Sequence, residues 1–95
     1  MKAAKLPKVD HDGVAVRIEA LREALGLEKG DFALSFGVDP SSYSKILKGD
    51  KPLKVEMGYA LAERWGVTLD FIYRGSLDRL PDRYASTVID RITKG

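Results

Sequence analysis

The side chains best equipped for chemistry in this chain are cationic and clustered. Residues 40–54 hold Lys45, Lys48, Lys51 and Lys54 against Asp50 alone, a local charge of +3. Lys2, Lys5 and Lys8 make a second basic run without an acid. Ser41, Ser42 and Ser44 accompany the first cluster, and their hydroxyls both donate and accept hydrogen bonds. Ammonium groups gathered in two patches suit a polyanion better than does a net charge of only +2. The plainer alternative is that these lysines solvate a loop and a tail. Other chemistry is thin. His11, in "DHD", is the one histidine and there is no cysteine, so disulfides and thiolate metal sites are excluded and His11 reads as a solvated residue. The nine glycines fall where helices stop and chains turn, and none forms a phosphate-cradling loop. No catalytic residue, metal or cofactor is expected, and the chain is not expected to be an enzyme.

Something must position those lysines. At 95 residues the chain is sized for one small domain that buries about 60–65% of its unfolded surface, which leaves no room for a separate sensor domain. Hydrophobic and charged fractions of 44% and 32% match an ordinary globular core with a wet surface. No run of about 18 apolar residues is present to span a membrane, and "MKAAKLPKVDHDG" lacks the apolar stretch of a signal peptide. A reducing, cytoplasmic setting is expected.

The pattern is helical throughout, with no strand alternation. Val14, Ile18, Leu21 and Leu25 line one face of a helix that Asp12 could cap and Gly26 stop. In "EKGDFALSFG", Phe32, Ala33 and Phe36 share a side, and the segment ends at Gly37. Asp39 is a good N-cap for a third helix, Pro40 fits its first position and Gly49 ends it. A fourth helix runs roughly from Lys54 to Trp65, with Gly58, Leu61, Ala62 and Trp65 on one face, before Gly66. "VTLDFIYRG" gives a short helix begun near Thr68 and closed by Gly75, and Tyr59, Trp65, Phe71 and Tyr73 are expected to pack around it. After Pro81 comes a last helix with Ala85, Val88, Ile89 and Ile92 at helical spacing. The fold class is therefore all-α, a compact bundle of five to six short helices.

Helices two and three are joined by a turn too short for antiparallel packing, so they must cross steeply. Gly37 supplies positive φ, Ala33 the close approach, and Val38 and Tyr43 fill the space beneath. Tyr43, Ile46 and Leu47 fall within about 100° of arc and point inward. The opposite face, Ser41, Ser44, Lys45 and Lys48 with Ser42 on its flank, is narrow and cationic enough to enter a major groove about 12 Å wide. With those features, "LREALGL", "KGDKP" and "ALAERWGVTLDFIYRG", residues 14–75 resemble the phage repressor and Cro class of helix-turn-helix domains, the XRE family.

The resemblance implies a lambda-repressor-like helix-turn-helix domain over residues 13–75, preceded by a basic N-terminal arm (1–12) and followed by an extra C-terminal helix (76–95). It implies base-facing roles for Pro40, Ser41, Ser42, Ser44 and Lys45, and phosphate contacts from Lys29, Lys48, Gly49 and Lys51. Three positions depart from the family. Pro40 stands where relatives often carry glutamine and offers no hydrogen bond to a base. Leu47 replaces a glutamate that often pairs with a helix-one arginine, here Arg22, which then needs another partner. Gly30 weakens helix two by about 1 kcal/mol relative to alanine. Serines cannot make the bidentate pairings of arginine with guanine or glutamine with adenine, so Lys45, water and DNA shape must carry much of the readout. The implied function is a sequence-specific double-stranded-DNA-binding transcriptional regulator, expected to be a prokaryotic or phage repressor. It is expected to act as a homodimer, with the C-terminal stripe either covering the domain's own core or pairing with its twin, and without a membrane or small-molecule partner. The competing reading is an antitoxin or adaptor that keeps the fold and binds protein.

Overall fold

The computed structural model describes residues 3–94, so Lys2 of the expected basic arm lies outside the described residues. Five α-helices and one π-helical turn follow in order, with no strand among the described residues. Residues 3–10 are exposed and adopt neither helix nor strand.

Helix α1 (His11–Leu25) starts earlier than its apolar periodicity suggests. The N-cap is Asp10, whose carboxylate accepts from the Gly13 N–H at 3.1 Å, and Asp12 lies inside the first turn. A Cβ at Gly13 would fall 2.7 Å from an Asp10 carboxylate oxygen, so the glycine leaves that carboxylate room beside the backbone. His11 is exposed as the first helical residue and no longer belongs to the arm.

Helices α2 (Lys29–Ser35) and α3 (Pro40–Lys48) bracket a turn through Gly37, which adopts φ 77°. The Val38 N–H donates to the Ala33 carbonyl at 2.9 Å and closes that turn. Asp39 caps α3 with its carboxylate 3.2 Å from the Ser41 nitrogen, and Pro40 occupies the first turn, as the sequence indicates. Helix α4 (Val55–Trp65) ends at Gly66. The chain then makes a π-helical turn over Asp70–Arg74, wider than the expected α-helix, and the Thr68 hydroxyl accepts from the Phe71 N–H at 2.9 Å at its start. Helix α5 (Asp82–Lys94) completes the chain.

One core draws on every helix: Ile18 and Leu21, Phe32 and Ala33, Tyr43 and Ile46, Leu61, Phe71 and Val88 are all buried. Helix α5 lies mainly against α1. The C-terminal stripe therefore covers the domain's own core through Tyr84 and Val88, with Ala85 and Ile92 half-buried and Ile89 left 36% exposed at its edge. The Tyr84 hydroxyl donates to the Trp65 carbonyl and fastens the start of α5 to the end of α4. Tyr59 departs from its expected packing and is 57% exposed, while Leu25, Leu47, Trp65 and Tyr73 are half-buried on the shoulder of the core. Among the described residues no helix is long and apolar enough to cross a membrane.

Candidate nucleic-acid interface

The inward face of α3 fixes where its outward face points. Tyr43 meets Phe32 and Phe36 edge-on, with ring centroids 5.6 and 6.4 Å away, and this aromatic cluster joins α3 to α2. Its hydroxyl donates to Glu19 Oε2 of α1 at 2.5 Å. Burial pushes the Tyr43 hydroxyl above its ordinary pKa, and the Glu19 carboxylate adds to the rise, so Tyr43 stays a donor at neutral pH.

Arg22 finds its partner on its own helix. Its Nε and Nη2 donate to Glu19 at 2.8 and 3.1 Å, and its Nη1 donates to the Leu27 carbonyl at 2.7 Å. Partial burial opposes ionisation of Glu19, but the bonds from Arg22 and Tyr43, with the charges of Arg22 and Lys29, outweigh it. The Glu19 carboxyl therefore sits below its ordinary range. Sequence reasoning missed Glu19, although an acid three residues before Arg22 on one helix face was a usable signal.

On the opposite side, Pro40, Ser41, Ser44, Lys45, Lys48 and Gly49 are exposed, and Ser42 and Lys51 are half-buried. Ser41, Ser44, Lys45 and Lys48 fall at i, i+3, i+4 and i+7, so they form one strip along the helix. Lys29 is exposed at the first position of α2, and a Cβ on its neighbour Gly30 would lie 3.9 Å from the Pro40 ring. The two helix starts are thus adjacent, and the nine expected contact residues are distributed over α3, its following loop and the start of α2.

Two serines are already engaged. Ser41 donates its hydroxyl proton to Asp39, and the Lys51 ammonium donates to Ser42 Oγ at 3.2 Å. The hydrogen bond from Ser41 holds the exposed Asp39 carboxyl below its ordinary range, helped by backbone N–H groups and the Lys45 charge. The tip of α3 accordingly presents acceptor oxygens, and Lys45 presents a donor one turn later. Asp39 is thus more than a cap: its exposed carboxylate also fixes the Ser41 hydroxyl at the start of α3.

The loop carrying Lys51 is also anchored. Leu53 is buried, and the Tyr73 hydroxyl lies 2.8 and 3.0 Å from the carbonyls of Leu53 and Lys54. Tyr73 reaches them by passing over Gly58, where a Cβ would overlap its ring and hydroxyl.

Two short helices joined by a glycine turn, the first clamped to the core and the second baring a cationic strip, define a helix-turn-helix. The chain belongs to the Helix-turn-helix family of the phage repressor and Cro (XRE) type, whose profile matches residues 18–72 and so ends before α5. This is a family of DNA-binding regulators, which places double-stranded DNA binding and regulation as the general function. No curated protein matches the chain, and no solved structure matches it.

Proposed function

We propose that the protein is a cytoplasmic, non-enzymatic transcriptional repressor that binds its operator as a homodimer and occludes the promoter. The observation that carries this reading is the exposed strip of Ser41, Ser44, Lys45 and Lys48 with Lys29 beside its start. In that pose α3 lies in the major groove, Lys29, Lys48 and Lys51 with the Gly49 backbone hold phosphates, and Pro40, Ser41, Ser42, Ser44 and Lys45 face bases. The acceptors of Asp39 and Ser41 favour a donor-bearing edge, cytosine N4 or adenine N6, beneath the helix tip. Lys45 favours the acceptors of guanine about two base pairs further along, because one helical turn advances about 5.4 Å. Two half-sites about 34 Å apart would be read by a symmetric pair.

Selection of bound sequences from random DNA at two salt concentrations tests the reading. The expected result is an enriched palindrome with cytosine or adenine at one end of each half-site. Lys48→Ala weakens binding to every sequence and lowers the salt slope by about one unit, whereas Lys45→Ala also changes the preferred sequence. If neither variant differs from wild type on the selected site, the docking pose is wrong.

A second reading has its own observation. An open groove of about 670 Å³ runs between α1, α3 and α5, with apolar walls from Val16, Leu47 and Ile92. An antitoxin or adaptor would use such a surface for protein, and random-DNA selection would then enrich nothing.

A further inference from the structure

Glu19 is the point where both halves of the helix-turn-helix are tied to α1. Through Oε2 it accepts from Tyr43, which stands in the middle of α3 between Ser42 and Ser44. Through both oxygens it holds Arg22, whose remaining arm grips the Leu27 carbonyl in the loop that leads into α2. Leu27 is two residues before Lys29. One carboxylate, 23% exposed, thus connects the reading strip to the chain that delivers the phosphate-facing lysine of α2. Apolar contacts alone leave a short helix some freedom to roll or slide on the core, since van der Waals contacts are individually weak and non-directional. A charge-assisted hydrogen bond is directional and removes that freedom. On α3 the freedom matters, because a shift of about 1 Å in a major-groove side chain exceeds the tolerance of a base-edge hydrogen bond.

We propose that Glu19 is a positioning residue for DNA recognition. Its bonds to Tyr43 and Arg22 set the register between the base-facing strip of α3 and the phosphate-facing Lys29 of α2. Glu19 touches no DNA; it converts a correctly packed domain into one with a single reading geometry. This rests on the DNA-docking pose proposed above. It predicts a separation that simple stabilisation does not give, in which sequence discrimination falls while non-specific affinity persists.

The experiment compares wild type, Tyr43→Phe and Glu19→Gln on the selected operator and on a scrambled duplex of equal length, at several salt concentrations. Tyr43→Phe keeps the ring against Phe32 and Phe36, removes one hydroxyl and leaves the Glu19–Arg22–Leu27 bonds in place, so it is the variant that preserves folding. Both variants are checked for a folded fraction by circular dichroism at the assay temperature. The expected result is a five- to tenfold loss in the ratio of operator to scrambled affinity, with scrambled affinity and salt slope unchanged. Amide shifts of Ser41–Lys45 should move in Tyr43→Phe, and a Tyr43→Phe/Glu19→Gln double variant should lose little more than Glu19→Gln alone, which removes both ties. A ratio equal to wild type in folded Tyr43→Phe overturns the proposal, as does an equal fall in both affinities. If wild type itself does not discriminate between the duplexes, the repressor reading fails instead, and the amide shifts still report whether Glu19 sets the position of α3.

Discussion

A carboxylate that receives three hydrogen-bond donors is easier to ionise in the folded chain than in the unfolded one, and Glu19 is in that position. Its folded pKa is depressed, so its contribution to stability is complete above the unfolded value near 4.5 and is lost as pH falls through the folded value. Urea unfolding between about pH 6 and about pH 3 should show wild type losing stability faster than Glu19→Gln; parallel curves would show that the network adds nothing to stability. Asp39 is depressed as well, but it is present in both proteins and cancels from the comparison. At this scale the sequence was legible where a residue's role is local. Asp39, Pro40, Gly37 and Gly49 could be assigned from backbone preference alone. Of Glu19 only the i,i+3 pairing with Arg22 was legible; its bond to Tyr43, 24 positions away, forms only after folding.

Helix α2 holds a glycine at its second position and α4 one at its fourth, and the same substitution should act in opposite directions. At Gly30 an added Cβ meets nothing closer than the Pro40 ring at 3.9 Å, so Gly30→Ala should stabilise by about 0.5–1 kcal/mol through helix propensity. At Gly58 the Cβ would overlap the Tyr73 ring and hydroxyl, forcing Tyr73 off the Leu53 and Lys54 carbonyls. Gly58→Ala should therefore cost about 1–3 kcal/mol despite the same propensity gain. Thermal melts of the two variants check the pair of signs. Helix count, order and stops were legible because apolar periodicity and glycine punctuation agree in nearly every element. Two details were not. Asp10 and Asp12 are both good N-cap residues and only the fold shows that Asp10 takes the role, and the 70–74 turn takes a wider π-helical form that periodicity does not distinguish from an α-turn.

For the molecule as a whole, the placement of α5 changes how assembly must be tested. Val88 is fully buried against the domain's own core, so Val88→Ala should cost about 2 kcal/mol from lost methyl burial and a small cavity, at every protein concentration. Concentration-dependent unfolding of that variant alone would instead indicate that α5 is shared between chains. Removing α5 is not a clean test of dimerisation, since it strips the cover from α1, and polar substitution of the exposed Ile89 is the better probe. The all-α bundle and the helix-turn-helix were legible from residues 14–75, whereas the role of α5 was open because one apolar stripe serves a core or a partner equally well. The two faces of α3 carry a longer-term consequence. Its inner residues hold the fold, while Ser41, Ser44 and Lys45 are exposed and contribute no packing. On the docking pose proposed above, lineages of such a chain could exchange those three residues and drift to new target sequences without crossing a stability threshold, and a designer could retarget it by the same route.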